Sequence, residues 1–371
     1  MIRLEKVTKI YPDGTKAVRE VSLEVKRGEL CVLLGPSGCG KTTTMKMINR
    51  LIPLTSGKIY VDGVDHVSVN ENELRRNIGY AIQEVGLFPH MTVAENITTV
   101  PALKGWTKAD RTKRAVELLE LLRMAPNEFM NKYPKELSGG QRQRIGIARA
   151  LGANPPILLM DEPFGAIDPV TRIDLQDEFL KIQQELKKTI IFVTHDIYEA
   201  VKMADSVVLM KEGQLVQHAS PADLLYRPKN RFVEDFVGSD RGLKCLQLIR
   251  AREAMWDSPA TVTLDASVES ARKQMEEEGI DWLAVISDDR RFLGWVVSSD
   301  LVKGKTVSEI ITVSSIRVTA DTVLSEALSQ MLTSGLKVLA AVDQHERLEG
   351  VLTFEGIQTA LRKAVQKEGT E

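Results

Sequence analysis

The chain has 371 residues, of which 27% are charged, and a formal net charge of −2. It is long enough for two or three domains with cores of their own, and its near-neutral balance excludes nucleic acid as the main partner, because phosphate-backbone binding needs a basic excess. No apolar run approaches the ~20 residues that span a bilayer, and Met1-Ile2-Arg3-Leu4-Glu5-Lys6 lacks a signal-peptide core, so the expected location is cytosolic or at a membrane, held there by other proteins.

Residues 2–8 and 18–25 read as antiparallel strands, with Val21, Leu23 and Val25 alternating, and Tyr11-Pro12-Asp13-Gly14 is the turn between them. Tyr11 either stacks on a purine or simply packs. The apolar strand Leu30-Cys31-Val32-Leu33-Leu34 then runs into Gly35-Pro36-Ser37-Gly38-Cys39-Gly40-Lys41-Thr42-Thr43, which fits G-x-x-x-x-G-K-[ST], and a helix is expected over residues 45–51. Glycines let backbone N–H groups turn inward around phosphate oxygens, and the helix adds its positive end. Lys41 can reach the terminal phosphates and Thr42 can ligate Mg²⁺. Cys39 is either an accessible thiol or a small filler; with Cys31 and Cys245 it makes neither a disulfide framework nor a metal cluster.

Residues 56–63 predict a short strand and turn, and residues 78–83 a strand ending in Gln83. An apolar loop follows, with Leu87, Phe88, Pro89 and Met91 serving as core or as a docking surface, and Thr92 with Glu95 marks a helix start. Residues 108–124 are helical by their apolar spacing. Leu137-Ser138-Gly139-Gly140-Gln141 opens another helix, whose uncovered backbone donors make either a second anion site or an ordinary capped end.

Pro156-Ile157-Leu158-Leu159-Met160-Asp161-Glu162-Pro163 has the pattern of a buried parallel strand, and ligands in such sheets sit at the carboxyl end. Asp161 is placed for the Mg²⁺ shell and Glu162 to polarise a water for in-line attack on a γ-phosphate. Asp168-Pro169 caps a helix through residue 188; a further buried strand over residues 189–193 ends at Thr194-His195-Asp196, and residues 207–217 make a hairpin. His195 is either a structural histidine or part of the same catalytic edge as Glu162.

With the phosphate loop, Leu-Ser-Gly-Gly-Gln, the Asp-Glu strand and the late histidine in this order, residues 1–240 resemble an ABC-transporter ATPase subunit. The resemblance implies an α/β P-loop NTPase domain with an antiparallel β subdomain and a helical subdomain. It also implies ATP and Mg²⁺ as cofactors, Tyr11 stacked on adenine, phosphates held by residues 35–43, and Gln83 sensing Mg²⁺ and the lytic water. Glu162 becomes the general base, His195 the γ-phosphate sensor and Asp168 a cross-dimer contact. Ser138, Gly139, Gly140 and Gln141 reach the γ-phosphate across a homodimer that buries two ATP molecules, and residues 83–97 form the groove for a permease coupling helix.

Residues 260–301 align on 316–357 without a gap at a shift of 56, with identities that include Asp265/Asp321, Ala271/Ala327, Met275/Met331, Gly279/Gly335, Leu283/Leu339 and Gly294/Gly350. Each copy reads helix, strand, charged turn, strand, helix, and two units this small are expected to pack as one pseudo-symmetric module. The repeat resembles a tandem cystathionine-β-synthase (CBS) pair, an α+β regulatory module, over residues 256–311 and 312–371 after a linker at 241–255. Family members that bind nucleotide carry Gly-x-x-Thr-x-x-Asp, with Thr and Asp holding phosphate and ribose; here one copy has Val297 with Asp300 and the other Thr353 with Gly356. Each half thus keeps one of the two groups, leaving an adenine nucleotide or cyclic dinucleotide across the pair, or a purely structural module, as the alternatives.

The combination resembles the ATPase of bacterial osmoprotectant importers for glycine betaine, choline or carnitine, down to Met45-Lys46-Met47-Ile48-Asn49-Arg50-Leu51 and Gly86-Leu87-Phe88-Pro89-His90-Met91-Thr92. It implies two permease subunits and an extracytoplasmic solute-binding protein as partners, a place on the cytoplasmic face of the inner membrane, and gating by the CBS pair in response to ionic strength, anionic lipid or a nucleotide. The alternatives are another small zwitterion such as ergothioneine, or a soluble ATPase without a permease.

Overall fold

The computed structural model describes residues 1–82, 86–165, 167–301 and 306–367, so Gln83 lies outside the described residues. The chain forms two compact units, Met1–Val237 and Gly238–Glu371.

In the first unit, Lys16–Val25, Ile2–Ile10, Ser56–Val61 and Val64–Asp65 lie in that order in an antiparallel sheet. Alternating apolar residues of its strands, Ile2, Leu4, Val21, Leu23, Val25 and Ile59, are buried. That period of two gives the sheet one dry face and one wet one. The second sheet has the order Gln214–Ala219, Ser206–Lys211, Leu30–Leu34, Thr189–Val193, Ile157–Asp161, Ile78–Ala81, with every neighbouring pair parallel except the first. Its three central strands are buried at every residue, as expected where both faces are covered. Short helices from Val93–Ile97 to the long Gly139–Leu151 make the helical part. The helix after the phosphate loop is Lys41–Ile48, starting four residues before the expected 45 because the motif's own lysine and threonines form its first turn.

The second unit carries the repeat. Each copy places a helix (Val268–Glu278; Leu324–Ser334) before two antiparallel strands (Trp282–Ile286 with Phe292–Val297; Val338–Val342 with Leu348–Thr353). The halves are tied at their turns: Phe292 N donates to Glu346 O at 3.0 Å and Leu348 N to Arg290 O at 2.9 Å, with Arg290 and Glu346 both at φ 64°. A shared core of Trp282, Ala284, Phe292 and Trp295 with Val338, Ala340 and Val351 joins them.

The identical glycines Gly294 and Gly350 have one physical reason. A Cβ on Gly294 would lie 2.3 Å from Thr312 O, and one on Gly350 2.9 Å from Trp256 O, because the segment leading into each copy pairs beside the other copy's second strand. The copies differ at the end: Phe354–Lys367 closes the second as a long helix, whereas the first continues into a single 3-10 turn, Ser298–Asp300, with 302–305 outside the described residues. Residues 241–255 hold a short helix, Arg241–Cys245, and a 3-10 turn, and Leu246 and Ile249 are buried in the second copy's core.

Candidate active site

Three parallel strands end together. Thr194 N donates to Leu33 O at 3.1 Å and Glu162 N to Val193 O at 3.0 Å, so the ends of Leu30–Leu34, Thr189–Val193 and Ile157–Asp161 are locked side by side. The phosphate loop, the Asp161-Glu162 pair and His195 therefore share the carboxyl edge, where parallel sheets receive ligands.

At the loop, Gly35 has φ 146° and Gly40 φ 103°, conformations that favour glycine, and the room is taken from above: added Cβ atoms would lie 2.3 Å from Met210 O and 2.3 Å from Ala17 O. Gly38, at φ 76°, faces open space instead. Lys41 is buried, and its Nζ donates to Gly35 O at 2.6 Å and Pro36 O at 2.9 Å, which holds the ammonium across the mouth of the loop. Cys39 is buried and burial pushes its thiol up, so of the two readings open for it the small filler is the one that fits.

Thr42 Oγ1 donates to Asp161 Oδ1 at 2.9 Å, across 119 residues of sequence. Burial raises the Asp161 carboxyl, Thr42's bond lowers it, and neighbouring Glu162 raises it again. Glu162 itself sits at φ 44°, an uncommon place for a side chain of this size, and His195 Nδ1 lies 3.2 Å from its Oε1. A hydroxyl and carboxylates are hard oxygen donors, and among the described residues no group of three or more His, Cys, Asp or Glu is arranged to hold a metal ion. That set fits Mg²⁺ held partly by substrate phosphates rather than an all-protein cage, and the open glycine loop with its lysine fits a polyphosphate.

Ser138 caps the helix Gly139–Leu151 through a reciprocal box: Gln141 N donates to Ser138 Oγ at 3.2 Å and Ser138 N to Gln141 Oε1 at 2.9 Å. The box uses the N–H groups of Ser138 and Gln141, and Ser138 and Gly139 stand exposed at the head of the helix. Asp168 accepts from Thr171 N at 3.0 Å as the cap of Pro169–Leu186, and half-buried Tyr11 has Lys9 Nζ 5.2 Å from its ring centre.

Supporting residues were less legible. Thr194 Oγ1 donates to Glu199 Oε2 at 2.6 Å, Gln176 Nε2 to Glu199 Oε1 at 3.1 Å, and Asp196 N to Thr194 Oγ1 at 3.0 Å. This buried network fixes the turn that presents His195, and burial raises the Glu199 carboxyl. Its only sequence signal is a glutamate inside the apolar run Ile197-Tyr198-Glu199-Ala200-Val201. Likewise buried Asn96 accepts from Phe88 N at 2.8 Å and donates to the carbonyls of Phe88, Met91 and Thr92 at 3.0–3.2 Å, winding the loop so that Phe88 and Pro89 stay exposed.

A mixed α/β sheet with a phosphate loop, an Asp-Glu strand end, a strand-end histidine and a second glycine-led helix defines an ATPase of the ATP-binding cassette class. Comparison with known proteins agrees. The family model described as ABC transporter matches residues 18–165, and the CBS domain model matches 251–305 and 307–363. The choline transport ATP-binding protein OpuBA of Bacillus subtilis is 46% identical over 95% of this chain and 94% of its own length, and the osmoprotectant import ATP-binding protein OsmV of Salmonella typhimurium is 45% identical over 96% and 95%. Among solved structures, the dimeric bacterial ABC transporter cassette MJ0796 is 36% identical, with a TM-score of 0.55, over 60% of this chain and 99% of that one. The chain belongs to the osmoprotectant ABC transporter ATP-binding proteins that carry a C-terminal CBS pair. No helix among the described residues is long and apolar enough to cross a membrane.

Proposed function

We propose that this chain powers import of a quaternary-amine compatible solute of the glycine betaine, carnitine and choline type. It works as a homodimer on two permease subunits fed by a solute-binding protein, peripheral on the cytoplasmic face of the inner membrane. What carries this reading is that relatives similar along both units, not only the ATPase, are named for such solutes.

ATP bound with Mg²⁺ supplies a γ-phosphoryl group for transfer to water. Thr42 and Asp161, with Gln83, would hold the metal, and Lys41, whose Nζ rests on the Gly35 and Pro36 carbonyls, would neutralise the phosphates. Glu162 draws a proton from the attacking water, and His195, 3.2 Å away, orients that carboxylate and senses the phosphate. Tyr11 stacks on the adenine, and residues 35–43 close round the phosphates. Ser138–Gln141, at the exposed head of their helix, meet the nucleotide on a second copy, with Asp168 beside them, so that γ-phosphate is a ligand shared by two chains. Exposed Phe88 and Pro89, held by Asn96, offer an apolar contact for a permease helix.

The test is uptake of labelled choline, carnitine and glycine betaine by vesicles holding the whole complex. Saturable ATP-dependent uptake of at least one supports the reading. Transport confined to another zwitterion would overturn the solute class, and loss of uptake in Glu162→Gln is expected whichever solute is carried.

A further inference from the structure

The second unit holds an open cavity of about 910 Å³ whose walls come from both copies of the repeat. Trp256 and Trp282 form one corner, ring centres 6.2 Å apart and planes at 81°, and Phe354 lines it too. At the shift of 56, the counterparts of Trp256, Trp282 and Phe354 are Thr312, Val338 and Ser298, none of them aromatic, and Val338 and Ser298 line the same cavity. Trp256 is held rigidly, its backbone exchanging hydrogen bonds with Val351 at 2.8 and 3.0 Å, yet it is 39% exposed. The glycine at 350 exists to admit this segment.

The charges are as particular. Glu276, Asp281 and Glu355 line the same cavity together with Arg272 and Lys337, and Lys337 is already engaged 3.8 Å from Asp281. Indole faces attract cations through their quadrupole, and flanking carboxylates strengthen that while opposing a polyanion. Thr353 lines the cavity, but its hydroxyl accepts from Gly356 N at 3.0 Å, and Asp300 is not in the lining.

We propose that this cavity binds a small trimethylammonium compound, its methyl groups against the exposed rings of Trp256 and Phe354 beside the buried Trp282 and, in betaines, its carboxylate toward Arg272. The inference rests on the importer reading: the regulatory unit would recognise the transported solute itself. The experiment follows tryptophan fluorescence of the full chain, with Lys41→Ala to silence the ATPase site, titrated with choline, glycine betaine and tetramethylammonium. Saturable quenching is expected; Trp256→Leu should weaken it about tenfold, Glu355→Gln severalfold, and the neutral tert-butyl isostere of choline should bind about tenfold more weakly. Circular dichroism checks that each variant is folded. Absence of saturation by all three cations, equal binding of the isostere, or saturation by AMP that choline does not compete would each overturn the proposal. Choline uptake by the vesicles with no quenching would sink the cavity alone, whereas quenching without transport of any quaternary amine would sink the importer reading.

Discussion

Asp161 illustrates how function and stability oppose one another at a single residue. Burial raises its carboxyl above the ordinary 3.8, so between that value and the raised one the folded protein holds more protons than the unfolded chain. Stability of the nucleotide-free protein therefore falls as pH rises through that window, and a cation at the proposed site would offset the loss. Asp161→Asn keeps an acceptor for Thr42 and removes the buried charge, so its unfolding midpoint should rise and lose the part of its pH dependence that Asp161 supplies, while ATP turnover disappears. Thermal unfolding followed upward from pH 3.8 checks this; a lowered midpoint would contradict it. At Glu162 the expected change is different in kind. Glu162→Gln should accumulate an ATP-bound dimer on size-exclusion chromatography with Mg²⁺ and ATP, since the γ-phosphate that joins two copies is no longer cleaved, and persistence as a monomer would remove Glu162 from the role of base. Lys41→Ala should abolish nucleotide binding, read by equilibrium titration.

Two glycine positions separate folding from function at the level of elements. Gly40, between the loop and its helix, has φ 103° and no room beneath Ala17 O, so Gly40→Ala should cost about 2–4 kcal/mol in urea unfolding through strain and a forced shift. Gly139, at the head of Gly139–Leu151, meets nothing within 4 Å of an added Cβ. Gly139→Ala should leave stability unchanged or raise it by up to ~1 kcal/mol, because alanine is the better helix former, yet slow ATP turnover if a second copy's nucleotide needs that space. Turnover unaffected by Gly139→Ala would count against the shared site. The helix start at Thr92/Glu95 is local chemistry, legible from residues three apart, and it forms a full capping box; a second box forms at Ser138/Gln141, where the sequence marked only the head of a helix. The network of Thr194, Glu199 and Gln176 was not legible, because a buried acid in a helix has no sequence period to mark it.

Over the whole molecule, each of the two units has its own core, so calorimetry should resolve two unfolding transitions, and removing 238–371 should leave nucleotide binding by residues 1–237 intact. Deletion should also change how uptake responds to conditions; uptake and its regulation both unaltered would deny the second unit a gating role. The repeat made the pseudo-symmetric pairing of that unit readable, including the reason for Gly294 and Gly350 once the crossing segments were seen. It did not reveal that 241–255 fold onto the second copy's core, since Leu246 and Ile249 carry no periodic signature in so short a stretch.

What the sequence determined by itself was chemistry bound to local order: a phosphate loop between strand and helix, acids at a strand end, caps three residues apart, and a repeat. Those patterns are short-range, and 3.6- or 2-residue periods write them directly into the chain. The tertiary structure alone decided which distant residues meet: Thr42 with Asp161, Glu162 with His195, Asn96 with its loop, and Trp256 with Trp282. Such encounters depend on strand order and on which face is buried, and nothing in local sequence fixes either.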